Sequence, residues 1–280
     1  MPPSRPKKPA RGAQPSRTTV GRRDRGAGPA AARGGSSWQS VAEWYDATVG
    51  VRGSPHHRKA AIPTVMRLAE VVKGELVLDV GCGQGVLAHH VLKAGARYLG
   101  VDASQAMIRL AKRRREGVDF EVGDARDLMG TTSVERGSVD VAVLMLSLQD
   151  MDPLDQVVAS VATTLRPGGR VVVFLVHPAF RAPRGSGWGF DEARKLVYRR
   201  VERYLTPAAV PMKAYAEVSD AQRGATISFH RPVQDYVAAL VANGMVIDAF
   251  EELPDPVSFA DKAGSPEIPL FLALRARRTS

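Results

Sequence analysis

Residues 77–85 read VLDVGCGQG: an acid, Asp79, is followed by glycines at 81, 83 and 85 where an apolar run gives way to a helical pattern. Glycines so spaced let the backbone bend tightly and let a ligand approach it, and side chains at Gly81, Gly83 and Gly85 would collide with that ligand. Twenty-one residues past Gly81, the segment 98–102 (YLGVD) ends in a second acid, Asp102. A carboxylate at about that offset can accept both hydroxyl protons of a ribose. The chemistry implied is retention of a nucleoside-bearing cofactor. A dinucleotide fingerprint, G-x-G-x-x-G, needs glycine at position 86, where the chain has Val86. The loop is G-x-G-x-G preceded by an acid, so no pyrophosphate has to be neutralised.

Positioning these groups requires strands and helices in a fixed order. The apolar run 76–80 (LVLDV) reads as a buried strand and 86–95 as the helix after it. Residues 104–115 (SQAMIRLAKRRR) put apolar positions at helical spacing behind Ser104, a candidate N-cap. Residues 118–128 (VDFEVGDARDL) give a short strand ending at Gly123, Asp124 and Ala125, and further strands are expected within 139–151 and 165–176.

In this order the segments resemble the class I S-adenosylmethionine-dependent methyltransferases. FHRP at 229–232, ahead of a helix running to about Val241, is similar to the small-molecule members related to the ubiquinone and menaquinone enzymes. The resemblance implies an α/β, Rossmann-like, seven-stranded and mostly parallel sheet with helices on both faces. Residues 269–278 would form its antiparallel last strand. It also implies S-adenosyl-L-methionine as cofactor. Asp79 and the glycine loop would face the methionyl part, and Asp102, with Ala103 beside it, the ribose. Asp124 would accept from the adenine amine while the Ala125 amide reaches a ring nitrogen, and Leu146 would line the exit of the fourth strand. Taken alone, Asp124 could equally be a turn carboxylate capping a helix.

The segment Trp44, Tyr45, Asp46 resembles a family lid over the methyl donor. Tyr45 would present its ring or hydroxyl to the sulfonium; a core aromatic is the other reading. His56, His57 and Arg58 could enter the same site and bind an anionic substrate, or form a solvated loop. On the acceptor side, His177 follows a strand at the sheet edge where ligands sit. With His230 it could take a proton from a hydroxyl, carboxyl or amine nucleophile. Either ring could instead bond only its own chain. Residues 179–225 are too long for a usual connection. They carry Phe180, Arg181, Arg184, Trp188, Phe190, Tyr198, Arg199, Arg200, Tyr204 and Tyr215, an apolar wall with guanidiniums for a substrate-covering insertion, or a dimer contact.

The reaction expected is direct in-line methyl transfer to an oxygen or nitrogen of a small-molecule acceptor. No metal site is expected: the six histidines form no H-x-x-x-H pair, and Asp150 and Asp152 lack a third partner.

Charge divides unevenly. Residues 1–35 carry nine Lys or Arg against Asp24, which is +8 of the chain's +10. This Pro-, Gly-, Ala- and Arg-rich tail is expected to be disordered, and it lacks the apolar core of a secretory signal. It could bind RNA through phosphates, making an RNA methyltransferase the alternative, or be a solvated extension. Residues 36–280, nearly neutral, suffice for one catalytic α/β domain, as monomer or homodimer. No apolar stretch approaches the roughly 18 residues of a membrane span. The single cysteine, Cys82, fits a reducing compartment, and the expected location is cytoplasmic.

Overall fold

The computed structural model describes residues 38–182, 185–212, 226–257 and 267–279. The basic tail at 1–35 lies outside them, as do Arg184 and Tyr215.

Seven strands form one sheet: β1 (Leu76–Val80), β2 (Arg97–Asp102), β3 (Asp119–Val122), β4 (Val139–Met145), β5 (Leu165–Val176), β10 (Met245–Leu253) and β11 (Phe271–Arg278). Their order is β10-β11-β5-β4-β1-β2-β3. The pairs β1–β2, β1–β4, β2–β3 and β4–β5 are parallel, whereas β11 runs antiparallel to both neighbours. The strand order reverses at β1, and the crevice beyond the carboxyl ends of β1 and β4 is the topological switch point where open α/β sheets take ligands.

Alternation along the strands feeds two cores. Val77, Val143 and Phe174 face one side with Val65, Leu87 and Ile108. Leu78, Leu144 and Leu175 face the other with Leu128, Val158 and Leu240. Each fully buried leucine there contributes roughly 1.5–3 kcal/mol. The helices supplying these layers are α2 (Ile62–Ala69), α3 (Ala88–Lys93) and α4 (Gln105–Arg114) on the first side, and α5 (Leu128–Thr131), α6 (Leu154–Thr164) and α7 (Val233–Ala242) on the second. Before them, α1 (Ala42–Val49) leads into a π-helical turn, His57–Ala61.

One helix differs from the sequence reading in where it starts. α3 starts at Ala88 because Val86 and Leu87 belong to the turn leaving the glycine loop. The 226–230 strand, β9 (Thr226–His230), lies outside the main sheet and pairs antiparallel with β8 (Ala208–Met212). The 179–225 region also holds a hairpin of β6 (Ser186–Asp191) and β7 (Leu196–Val201). Among the described residues no helix is long and apolar enough to cross a membrane.

Candidate cofactor and acceptor site

The glycine loop starts where β1 ends. The Gly81 and Cys82 amides both donate to the Val101 carbonyl, at 2.7 and 3.0 Å, pinning the turn to β2. Gly81, Gly83 and Gly85 have φ of 76°, 55° and 77°, a region costly for L side chains. The three glycines differ in what a side chain would meet. A Cβ at Gly81 would lie 2.5 Å from Ser147 Cβ, and one at Gly85 2.6 Å from Phe120 Cζ, so these two glycines make room for the protein's own packing. At Gly83 the nearest atom would be Tyr45 Cε1 at 3.9 Å, leaving an open cradle there.

Asp102 closes one side of that cradle. Its Oδ2 accepts from the Gly83 amide at 3.0 Å and its Oδ1 from the Ser104 amide at 2.8 Å. Burial pushes its pKa up, opposed by those two amides. A carboxylate has about four lone-pair sites, so two remain for a diol. Ala103 is exposed beside it. Asp79 sits deeper, 2% exposed, where its Oδ2 accepts from the Tyr98 hydroxyl at 2.7 Å. Burial raises its pKa to about 7. Tyr98 stacks edge-on against Phe120 at 5.7 Å, and together these rings prop the loop from beneath. They were not singled out from sequence; the period-2 face shared by Tyr98, Gly100 and Asp102 was the available signal.

Tyr45 lies on α1 at the edge of Gly83, with Trp38 against its ring at 5.2 Å. The segment is fastened to α4: Arg114 pairs with Asp46 at 2.6 Å, and Gln39 Oε1 accepts from Ser104 Oγ and the Ala106 amide at 3.1 and 3.0 Å. Ser104 caps α4 by accepting from the Met107 amide, as expected. Leu146, the non-glycine residue at the exit of β4, has φ 57°. Such a conformation costs of order 1–3 kcal/mol and clusters at ligand sites. Its amide donates to Phe174 O at 2.6 Å and its carbonyl accepts from Gln149 Nε2 at 2.7 Å.

On the adenine side Asp124 is paired within the chain: Arg126 Nε and Nη2 donate to its carboxylate at 2.9 and 2.5 Å. That guanidinium, above all, lowers the Asp124 pKa. Ala125 is half-buried against the second core.

The two histidines read as bases differ in how far the chain occupies them: both ring nitrogens of His177 have protein partners, and one of those of His230 does. His177 is 3% exposed; its Nδ1 accepts from the Ala179 amide at 3.2 Å, so the Nε2 proton faces Glu252 Oε1 at 2.7 Å. With both nitrogens committed to the chain, its ring has no lone pair for a substrate. Burial lowers its pKa despite Glu252. His230, 8% exposed, donates from Nε2 to the Tyr204 carbonyl at 2.8 Å. His57 is also buried, its pKa lowered to about 4 by desolvation, with Nδ1 against Ser54 Oγ at 2.8 Å. A neutral ring cannot bind an anion by charge. His56 pairs with Asp255, and Arg58 donates to the Gly53 carbonyl. These three residues hold the turn after α1.

A buried acid, Asp150, lies at the end of a 3-10 turn (Leu148–Asp150) after β4. The turn packs on Gly81 through Ser147, whose Oγ donates to the Val80 carbonyl at 2.8 Å, and meets β9 where Ser228 Oγ donates to the Gln149 carbonyl at 3.5 Å. Burial pushes the Asp150 pKa up to about 7, and Ser228 opposes the shift. Asp152 instead pairs with Arg231 at 2.6 Å. Among the described residues no group of three or more His, Cys, Asp or Glu side chains is placed to hold a metal ion.

The seven-stranded sheet with β11 reversed is an arrangement shared with known proteins. Residues 77–169 match the methyltransferase domain family. A crystal structure of an S-adenosylmethionine-dependent methyltransferase from Mesorhizobium loti superposes with a TM-score of 0.66 at 27% identity, covering 79% of this chain and 99% of that one. The fold is that of the class I S-adenosylmethionine-dependent methyltransferases. S-adenosylmethionine is the cofactor this methyltransferase fold takes. Among named relatives, a ubiquinone biosynthesis O-methyltransferase from Cupriavidus pinatubonensis is 30% identical over 142 residues, 48% of this chain and 56% of the relative. A demethylmenaquinone methyltransferase from Tropheryma whipplei is 31% identical over 172 residues, 60% of this chain and 64% of the relative. The chain thus spans a little over half the length of these two methyltransferases.

Proposed function

We propose that the protein transfers a methyl group from S-adenosylmethionine to an oxygen or nitrogen of a small-molecule acceptor by direct in-line displacement. The observation carrying this reading is the Gly83 cradle, open to a ligand and bounded by Asp102 on one side and Tyr45 on the other. When bound, the cofactor supplies a methyl carbon made electrophilic by the adjacent sulfonium. Asp102 accepts from the ribose with Ala103 beside it, and the Gly81–Gly85 backbone, backed by Asp79, lies along the methionyl part. The Ala125 amide and the Asp124–Arg126 pair border the adenine edge, Leu146 forms part of the floor, and Tyr45 excludes water. Asp150 receives the acceptor's proton, and alignment of the nucleophile supplies most of the rate.

An oxygen acceptor is favoured by the relative named as a ubiquinone biosynthesis O-methyltransferase. Residues 36–280 form the catalytic domain in this reading, with 179–225 covering the acceptor, and a single cysteine suits the cytoplasm. The test is to incubate the protein with labelled methyl donor and fractionated cell extract. Label entering low-molecular-mass metabolites supports the proposal. Label entering RNA, and lost on deletion of residues 1–35, replaces it with the RNA reading.

A further inference from the structure

Beyond the end of β5, two guanidiniums come together, and among the described residues neither forms an ion pair. Arg181 follows His177 by one turn, its amide donating to the His177 carbonyl at 2.9 Å. Its Nε is buried and has no hydrogen-bond partner. Arg199, on β7, is held opposite Trp188 on β6 by the hairpin register, with its guanidinium carbon 5.2 Å from the Trp188 ring centre. Arg199 Nε donates to the Phe180 carbonyl at 2.7 Å and Nη2 to Ser186 Oγ at 2.9 Å, which fixes the plane of the group. Among the described residues neither arginine has a carboxylate within ion-pair distance. Asp255 influences Arg181, but its Oδ1 already meets His56 Nε2 at 3.0 Å and the Val257 amide at 2.9 Å.

Burying a charged donor without a partner is costly, and bringing a like charge beside it adds to the cost. Burial and the neighbouring Arg181 both lower the pKa of Arg199. Folded proteins keep such arrangements where a ligand completes them. The location suits an acceptor: β5 lies next to β4, whose exit carries Leu146 and Asp150, and adjacent strands are about 4.8 Å apart. Phe180 and Trp188 supply flat apolar surface at the same place, and a fixed guanidinium fork matches a carboxylate.

We propose that Arg181 and Arg199, walled by Phe180 and Trp188, form an anion subsite that holds the carboxylate of a planar aromatic acceptor. The inference rests on the methyltransferase reading above, which it deepens by naming a substrate class. The full-length protein, saturated with S-adenosylhomocysteine, is titrated calorimetrically with 2-naphthoate and with its neutral counterpart 2-naphthamide. Naphthoate binds at least about tenfold more tightly than the amide, a difference of about 1.4 kcal/mol. Arg181→Gln and Arg199→Gln each remove most of that preference while S-adenosylhomocysteine affinity stays unchanged. Equal affinity for the two probes in the unaltered protein, or an undiminished preference in both variants, overturns the subsite. The probe comparison needs no variant, so a hairpin weakened by substitution does not obscure it. If S-adenosylhomocysteine itself fails to bind, the methyltransferase reading falls, and naphthoate titrated alone still judges the anion subsite.

Discussion

The Asp102 carboxylate accepts the Gly83 amide at 3.0 Å, so the acid at the end of β2 and the open glycine of the loop are one unit. Removing the carboxylate takes the tether from the loop and, in the function proposed, the acceptor from the ribose. Hydrogen bonds to charged groups are worth about 1.5–3 kcal/mol. Asp102→Ala is expected to weaken S-adenosylhomocysteine binding by at least about a hundredfold in isothermal titration, and Asp102→Asn by less, since its amide oxygen keeps one acceptor. Unchanged affinity in Asp102→Ala would take the residue out of the site.

The three loop glycines are expected to fail differently when changed to alanine. At Gly81 a methyl would strike Ser147 at 2.5 Å and Met151 at 2.8 Å, so Gly81→Ala lowers the thermal midpoint markedly. Gly83→Ala meets only Tyr45 at 3.9 Å. Its cost to the fold is limited to about 1–2 kcal/mol of left-handed backbone strain, while the methyl enters the cradle and impairs cofactor binding. Thermal melts with and without S-adenosylhomocysteine separate the two. Equal loss of ligand-induced stabilisation per degree of destabilisation in both variants would contradict this division.

Much of this was legible in the sequence because it is local. Glycine spacing, the acid after the second strand and the Ser104 cap depend on neighbours within a few residues, and β11's reversal followed from the family resemblance. What stayed hidden depends on partners far along the chain. Glu252 meets His177 from 75 residues away, and Tyr204 meets His230 from 26. No spacing rule announces that both nitrogens of His177, or Nε2 of His230, are already taken. Arg126, although only two residues from Asp124, was equally silent, because a turn decides whether such a pair closes.

Asp150 makes the pH profile informative. A base must be ionised to accept a proton, so turnover at saturating substrates is expected to rise as pH passes about 7, the value to which burial pushes this carboxyl. Stability runs the other way. With the folded pKa raised above the ordinary 3.8, the native state holds the proton more tightly; that contribution is complete below 3.8 and lost as pH rises through about 7. Asp150→Asn, which mimics the neutral form, should therefore lower turnover by about 100-fold or more while melting no lower than the unaltered protein at pH 8. Retained turnover with an unmoved acidic limb would exclude the assignment.

His177 tests the opposite assignment. Its buried ring joins β5 to β10 by accepting from the Ala179 amide and donating to Glu252, so its loss should be felt in stability. His177→Gln leaves buried polar groups unpaired at about 1–3 kcal/mol, and each kcal/mol lowers the melting temperature of a domain this size by about 2–4 °C. The folded fraction should keep its turnover within about tenfold and its pH profile unshifted, because a general base typically contributes 10²–10⁴-fold and this ring has no free lone pair. Rate profiles measured well below the variant's melting temperature decide the matter. A fully folded His177→Gln protein that binds S-adenosylhomocysteine normally, yet loses about a thousandfold in rate, would return the ring to the reaction.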